Sequence, residues 1–283
     1  MSHGRVALAL FVALLALGRP AAAQQRPLLT QDPEPIAGGQ VLLEAGVDAA
    51  HDAFYPLSGL KGNLIAVPTI GITVGLSGIA EFELSGGPFQ QLSITERQAA
   101  PLASLVETTG ATTHAVTDLE VGAKIRLVAE GVGRPAVAFR FSTRLPNAKH
   151  ASGLGQDTTD FSASLLAAKT LPSIRVIANA GFTIMSAPLD AAKQNDVLTY
   201  GVSMARAMTD RVDVVGELNG RWSTRNGVAP VGTESRSRVA VGGRYTRGAI
   251  RFDGGLFFGL TAVEPTVGLT TGVTYVFNAF TLP

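Results

Sequence analysis

From residue 40 onward the chain alternates apolar and polar positions with a period of two, in one short run after another. In the first, 40–48, Val41, Leu43, Ala45 and Val47 share one face and Gln40, Leu42, Glu44, Gly46 and Asp48 the other. Run 63–76 puts Leu64, Ala66, Ile70, Ile72 and Val74 together, and Ser77-Gly78 reads as a hairpin into 79–85, where Ala80, Phe82 and Leu84 oppose Glu81, Glu83 and Ser85. Run 118–128 sets Leu119, Val121, Ala123, Ile125 and Leu127 against Glu120, Gly122, Lys124 and Arg126; run 136–145 sets Val137, Phe139 and Phe141 against Arg140 and Arg144. Seven more follow, at 161–168, 174–186, 197–207, 212–223, 235–246, 250–258 and 267–280. A period of two over lengths this short predicts β-strands, about twelve of them.

The connections alternate as well: tight ones near 77–78, 131–135, 169–173, 208–211 and 247–249 separate long polar ones. One greasy face, one polar face and one set of short turns is what a wall between lipid and water requires. The expected fold is all-β, an antiparallel transmembrane β-barrel of about twelve strands over 40–280, with short periplasmic turns and longer extracellular loops. In the last run Thr270, Gly272, Tyr275 and Phe277 match the polar-x-Gly-x-x-aromatic-x-aromatic pattern of outer-membrane barrel carboxyl ends. They are the expected assembly signal, read by the barrel insertion machinery.

Composition supports export without a helical anchor. Arg5, an apolar core at 6–17 and Ala21-Ala22-Ala23 form a signal peptide over 1–23, cleaved after Ala23 and leading to the bacterial outer membrane. The core is shorter than the roughly 20 residues a membrane-spanning helix needs. The apolar share is 46% with mean hydropathy +0.26, dispersed by alternation. With no Cys there is no disulfide framework and no thiolate chemistry, and a net charge of +1 gives no nucleic-acid footprint. Residues 24–39, rich in Gln, Pro and Gly, are expected to form a disordered periplasmic lead-in.

By parity the lumen is lined by Glu44, Glu81, Glu83, Glu120, Glu217 and Asp253 against Lys124, Arg126, Arg140, Arg144, Arg175, Arg221, Arg236, Arg238, Arg244 and Arg251. Acids dominate the first three strands and bases the fifth and tenth, which sets a field across the lumen and orients polar solutes. Antiparallel register is expected to bring Glu120 near Arg144, and Arg244 near Asp253. No catalytic residue is expected: Gly201-Val202-Ser203-Met204-Ala205 lies inside an alternating strand and lacks the final Gly of a nucleophile elbow. His51, His114 and His150 fall in separate outer connections, without metal spacing, so neither metal nor cofactor is implied. The longest connection, 86–116, carries an apolar stretch at 99–106 that is expected to fold inward over the mouth, near Glu81 and Glu83.

Several stretches carry a family likeness: 118–124 (DLEVGAK), 134–138 (RPAVA), Leu145-Pro146, Thr159-Asp160-Phe161, 178–182 (ANAGF), Tyr200-Gly201, 216–220 (GELNG) and the closing strand. In these the chain resembles the outer-membrane transporter-like family labelled for the meta-pathway of phenol degradation. It departs at Asn147-Ala148, where members tend to have Thr-Gly, which bears on the third outer loop. The resemblance implies a channel for small hydrophobic or aromatic solutes, with membrane lipid and the solute as partners. The competing readings are a membrane-embedded lipid-modifying enzyme and a structural or adhesive barrel that conducts nothing. Oligomeric state leaves no signal in the sequence.

Overall fold

The computed structural model describes residues 26–190 and 193–281; the signal peptide expected at 1–23 lies outside them. Fourteen strand segments follow in order: β1 (Gln40–Tyr55), β2 (Leu60–Gly75), β3 (Ala80–Gly86), β4 (Gln90–Arg97), β5 (Thr112–Ala115), β6 (Leu119–Val128), β7 (Ala136–Leu145), β8 (Asp160–Thr170), β9 (Ile174–Ser186), β10 (Gln194–Ala207), β11 (Val212–Ser223), β12 (Arg236–Arg247), β13 (Ile250–Gly259) and β14 (Val267–Asn278). β2 pairs with β3 along one half of its length and with β4 along the other, and β6 and β5 continue the same two ladders. The fourteen segments therefore make twelve staves, and β1 closes the barrel by pairing with both β14 and β2. All pairings are antiparallel, so no sheet edge is left open to lipid.

Alternation sorts the faces as expected. Leu165, Phe182, Val202, Val241 and Leu269 stand exposed on the outside, while Lys124, Glu81, Glu217 and Thr274 are buried inside. Tyr275 and Phe277 lie on the outer face of β14 with their rings stacked 5.4 Å apart.

β2 departs from the expected pattern. Gly46 pairs with Thr69 but Asp48 with Ala66, so Val67 and Pro68 form a bulge opposite the single residue Val47. A bulge reverses the alternation beyond it. Ala66 is buried inside and Ile65 exposed outside, so Leu64 and Ala66 do not share a face with Ile70 and Val74. Pro68, which has no N–H to give to a ladder, explains why the irregularity falls there. The histidines differ too: His51 sits in β1 and His114 in β5, and only His150 is in a loop.

Candidate functional site

The lumen is not an open tube. Residues 26–39, expected to trail in the periplasm, instead run as a strap around the inside of the barrel and leave at the rim, where the Gly39 N–H donates to the Gly75 carbonyl at 2.9 Å. The Arg26 guanidinium donates to Thr69 Oγ1 (3.0 Å), Thr270 Oγ1 (2.9 Å) and the Thr271 carbonyl (2.8 Å), with Asp48 and Asp253 each 3.5 Å away. Next, Glu217 of β11 accepts the N–H groups of Leu29 and Thr30 and the Thr30 hydroxyl, at 2.8–3.0 Å. Gln31 and Asn179 of β9 exchange two hydrogen bonds, 2.7 and 2.8 Å. Asp32 pairs with Arg175 and its carbonyl accepts from Lys124 Nζ at 2.8 Å, Glu34 pairs with Arg126, and the Ile36 N–H donates to Glu81 at 2.6 Å. The segment lacks regular structure because its backbone groups find wall side chains rather than a neighbouring strand.

Glycines make the room. A Cβ on Gly272 would lie 2.6 Å from Arg26 Nε, and one on Gly242 2.9 Å from the Pro27 ring. Gly201 faces Thr30: the atoms nearest to a Cβ there all belong to Thr30, with Oγ1 at 3.0 Å. Wall and strap thus interlock through missing side chains as well as through charge.

Several of the charged residues expected to line the lumen have other partners than register suggests. Glu120 faces Arg144 across the β6–β7 ladder, yet Arg140 takes Glu120 (2.9 Å) and Glu83 (2.7 Å), while Arg144 meets Asp118 and Asp160. Lys124, fully buried, holds Glu81 at 2.5 Å and has Glu83 at 3.8 Å. Arg244 is opposite Asp253 in register but gives its Nε to the Arg26 carbonyl at 2.8 Å, and Asp253 meets Arg26 instead. Glu44 accepts from Thr274 at 3.4 Å and Arg251 donates to Thr246 at 3.1 Å. Long side chains lean along the strand, and the strap brings charges that pairing by register leaves out. Arg26, Asp32 and Glu34 are the functional residues that strand periodicity misses, since none lies on a strand. Ser203 is buried on the lumen face, away from His51, His114 and His150.

The outer end is covered by loops, though not as expected. Of the long excursion 86–116, β4 and β5 extend two staves outward, leaving 98–111 as the loop. That loop lies at the end opposite Glu81 and Glu83: its Leu102 N–H donates to the Leu57 carbonyl, and Glu107 N–H to the Ala151 carbonyl. The loop that crosses the mouth is 146–159, between β7 and β8. Its Leu154 is buried against Ala53, Leu60 and Leu92, its Gly153 carbonyl accepts from Ser58 Oγ at 2.7 Å, and Gln156 reaches the Gly232 carbonyl at 3.3 Å. Asp118 fixes its start by accepting the N–H groups of Asn147 and Ala148, both at 3.0 Å.

Between strap and mouth loops lie two cavities. The outer one, about 330 Å³, is bounded by Leu57, Leu154, Gln156 and Pro265; the inner one, about 550 Å³, has Leu29, Thr30 and Gln31 as part of its floor. Arg221 and Arg236 line both. The inner wall also carries Arg140 and Arg238, the carboxylates of Glu120 and Glu264, and a set of hydroxyls and amides that includes Ser142, Ser164, Thr199, Asn179 and Asn219.

The family described as uncharacterised conserved protein UCP029691 matches residues 91–277, more than half of the chain. Its description carries no pathway label. No curated protein matches the sequence. Among solved structures the fold is similar to the COG4313 outer membrane channel from Pseudomonas putida F1, at 13% identity and TM-score 0.61, covering 87% of this chain and 98% of that one. It is also similar to the NanC porin, at 6% identity and TM-score 0.50, covering 83% and 98%. At these identities the likeness is one of fold, that of outer-membrane barrels.

Proposed function

The chain belongs to the UCP029691 family of uncharacterised conserved proteins, and we propose that it is a passive outer-membrane channel for small solutes, its bore narrowed by its own amino-terminal strap. The observation that carries this is the lumen: an outer cavity bounded largely by apolar side chains such as Leu57, Leu154 and Val263, and an inner one walled by hydroxyls, amides, guanidiniums and the carboxylates of Glu120 and Glu264, inside a closed barrel with an apolar outer face. Side chains fill the interior of barrels of about eight strands, and twelve staves enclose a wider one. The reading is supported further by the fold likeness to a channel and a porin. The solute implied by the family resemblance is hydrophobic or aromatic. The inner wall speaks for a polar one instead, because an apolar molecule there would strip water from hydroxyls and guanidiniums without replacing their hydrogen bonds.

Planar-bilayer conductance of the purified protein, compared with a variant lacking residues 26–36, tests the proposal. We expect small discrete conductance steps from the full protein and larger ones from the variant, with both retaining heat-modifiable migration on gels. Folded protein that gives no conductance in either form would overturn the channel; equal conductance in both would remove the strap as the constriction.

A further inference from the structure

Lys124, Arg126, Arg140, Arg144 and Arg175 each meet a carboxylate of wall or strap. Three arginines nearer the mouth are held differently. Arg221 gives Nε and Nη2 to the backbone carbonyls of Glu234 (2.9 Å) and Gly232 (3.1 Å). Arg238 lies over the Phe257 ring, 4.8 Å from its centroid. Arg236 has Glu264 at 3.5 Å, and the Nε atoms of Arg236 and Arg238 are buried with no hydrogen-bond partner among the described residues.

Their placement adds to this. Arg221 and Arg236 are direct partners across the β11–β12 ladder, and Arg238 is two residues along the same face of β12. Like charges directly opposite on an antiparallel pair repel. Glu120 is engaged by Arg140 and Asp160 by Arg144; Glu264 reaches Arg236, and Glu234, whose Oε1 accepts its own loop's Gly232 N–H at 2.8 Å, attracts Arg221, so the three guanidiniums outnumber the two carboxylates nearest them. Carbonyls and a ring face hold a guanidinium in position without neutralising it. Since Arg221 and Arg236 border both cavities, a solute passing from one to the other must pass them.

Resting on the channel reading, and narrowing it to a class of solute, we propose that Arg221, Arg236 and Arg238 form a selectivity site for small organic anions that carry a carboxylate and further hydrogen-bonding groups. The planar fork of a guanidinium matches a carboxylate through two parallel bonds. The carboxylate is handed along Arg236, Arg221 and Arg238 as the solute enters the inner cavity, while its hydroxyls meet the facing Ser, Thr and Asn side chains. At about 550 Å³ that cavity falls within the roughly 300–1,000 Å³ usual for small-molecule sites.

Two measurements on the whole protein test this, using gluconate as the anionic probe and sorbitol as its neutral counterpart. In bilayers under a potassium chloride gradient the reversal potential should show preference for the anion, and gluconate should reduce chloride current where sorbitol does not. In detergent, calorimetry should detect gluconate binding, weakened about tenfold by Arg238→Gln and more by Arg221→Gln with Arg238→Gln, as expected when hydrogen bonds to a charged group are removed. The double variant should also shift the reversal potential toward the cation. Glu264→Gln, which removes the carboxylate from Arg236, should shift it the opposite way, so a variant that fails to fold does not leave the question open. A conducting protein without anion preference and without gluconate binding overturns the site and leaves the channel standing. Arginine-dependent gluconate binding in a protein that conducts nothing keeps the site and overturns the channel.

Discussion

Asp32 and Arg175 meet through two parallel hydrogen bonds, Nε to Oδ2 at 2.6 Å and Nη2 to Oδ1 at 2.7 Å, and both side chains are largely buried. Arg175 also holds Glu130 at 3.0 Å, so one guanidinium ties the strap to two neighbouring points of the wall. Asp32→Asn should therefore cost roughly 1.5–3 kcal/mol, the range for a hydrogen bond to a charged group, because Arg175 keeps its second partner. Hydrogen exchange of residues 26–36 is the readout. Exchange should speed up in Asp32→Asn and recover in part when Asp32→Arg is combined with Arg175→Asp. Unchanged protection in the single variant would mean that the pair does not hold the strap.

Gly201 offers a way to push the strap out without touching the wall. A Cβ there meets Thr30 first, so Gly201→Leu should leave the twelve staves intact and displace the segment that Glu217 holds. We expect native heat-modifiable migration, faster exchange at residues 28–32 and larger conductance. A loss of barrel folding would show that Gly201 serves the sheet and not the strap.

The two faces of β8 should respond differently to the same charge. Leu165 is 56% exposed on the outer face and Ser164 beside it lines the inner cavity. Leu165→Arg should destabilise by about 2–4 kcal/mol near the bilayer midplane, while Ser164→Arg projects into water and should change stability little. Urea unfolding in liposomes measures both, and equal midpoints for the two variants would contradict the assigned facing.

Asp157 should make the mouth loop sensitive to acid. Burial alone would raise its carboxyl, but the His150 backbone N–H at 3.0 Å and Lys149 Nζ at 3.2 Å outweigh it and hold the carboxyl below the ordinary value. A depressed folded value means that this anchoring is complete above the usual aspartate range and is lost as pH falls through the depressed value. Protease susceptibility of loop 146–159 should rise at acid pH in the native protein. In Asp157→Asn it should already be high at neutral pH and respond less to acid; an equal pH response in both would assign the effect elsewhere.

The barrel was legible because its information is local and repeated. Each stave states its own facing through alternate residues, which is why alternation alone sets Lys124, Arg140 and Glu217 on the polar face of theirs. The bulge at Val67-Pro68 broke the rule in β2, and a proline inside an apparent strand was the signal for it. The strap was not legible by the same means. Its order comes from Glu217, Asn179 and Arg175, all more than a hundred positions away, and a Gln- and Pro-rich segment has no periodicity with which to announce them. The available signal lay in the wall: Gly46, Gly242, Gly255 and Gly272 all turn inward where a polar side chain would serve a simple pore, and all lie against Arg26 or Pro27. The arginine trio was visible as charge, but not as charge in excess of its carboxylates, because that depends on which partners the strap and loops had already taken.

The strap also fixes an order of events. Its partners are spread from Asp48 in the first stave to Thr270 in the last, so a segment that precedes every strand in the chain can settle only after residue 270 has arrived. The earliest described residues are thus the last to find their places, and until they do Glu217 and Arg175 face an uncovered bore. Arg26 itself rests beside Gly46 and Gly272, well inside the rim. A label carried at Arg26 would therefore sit in the bore, whereas one carried at Phe280, whose N–H donates to the Gly39 carbonyl at the rim, would not.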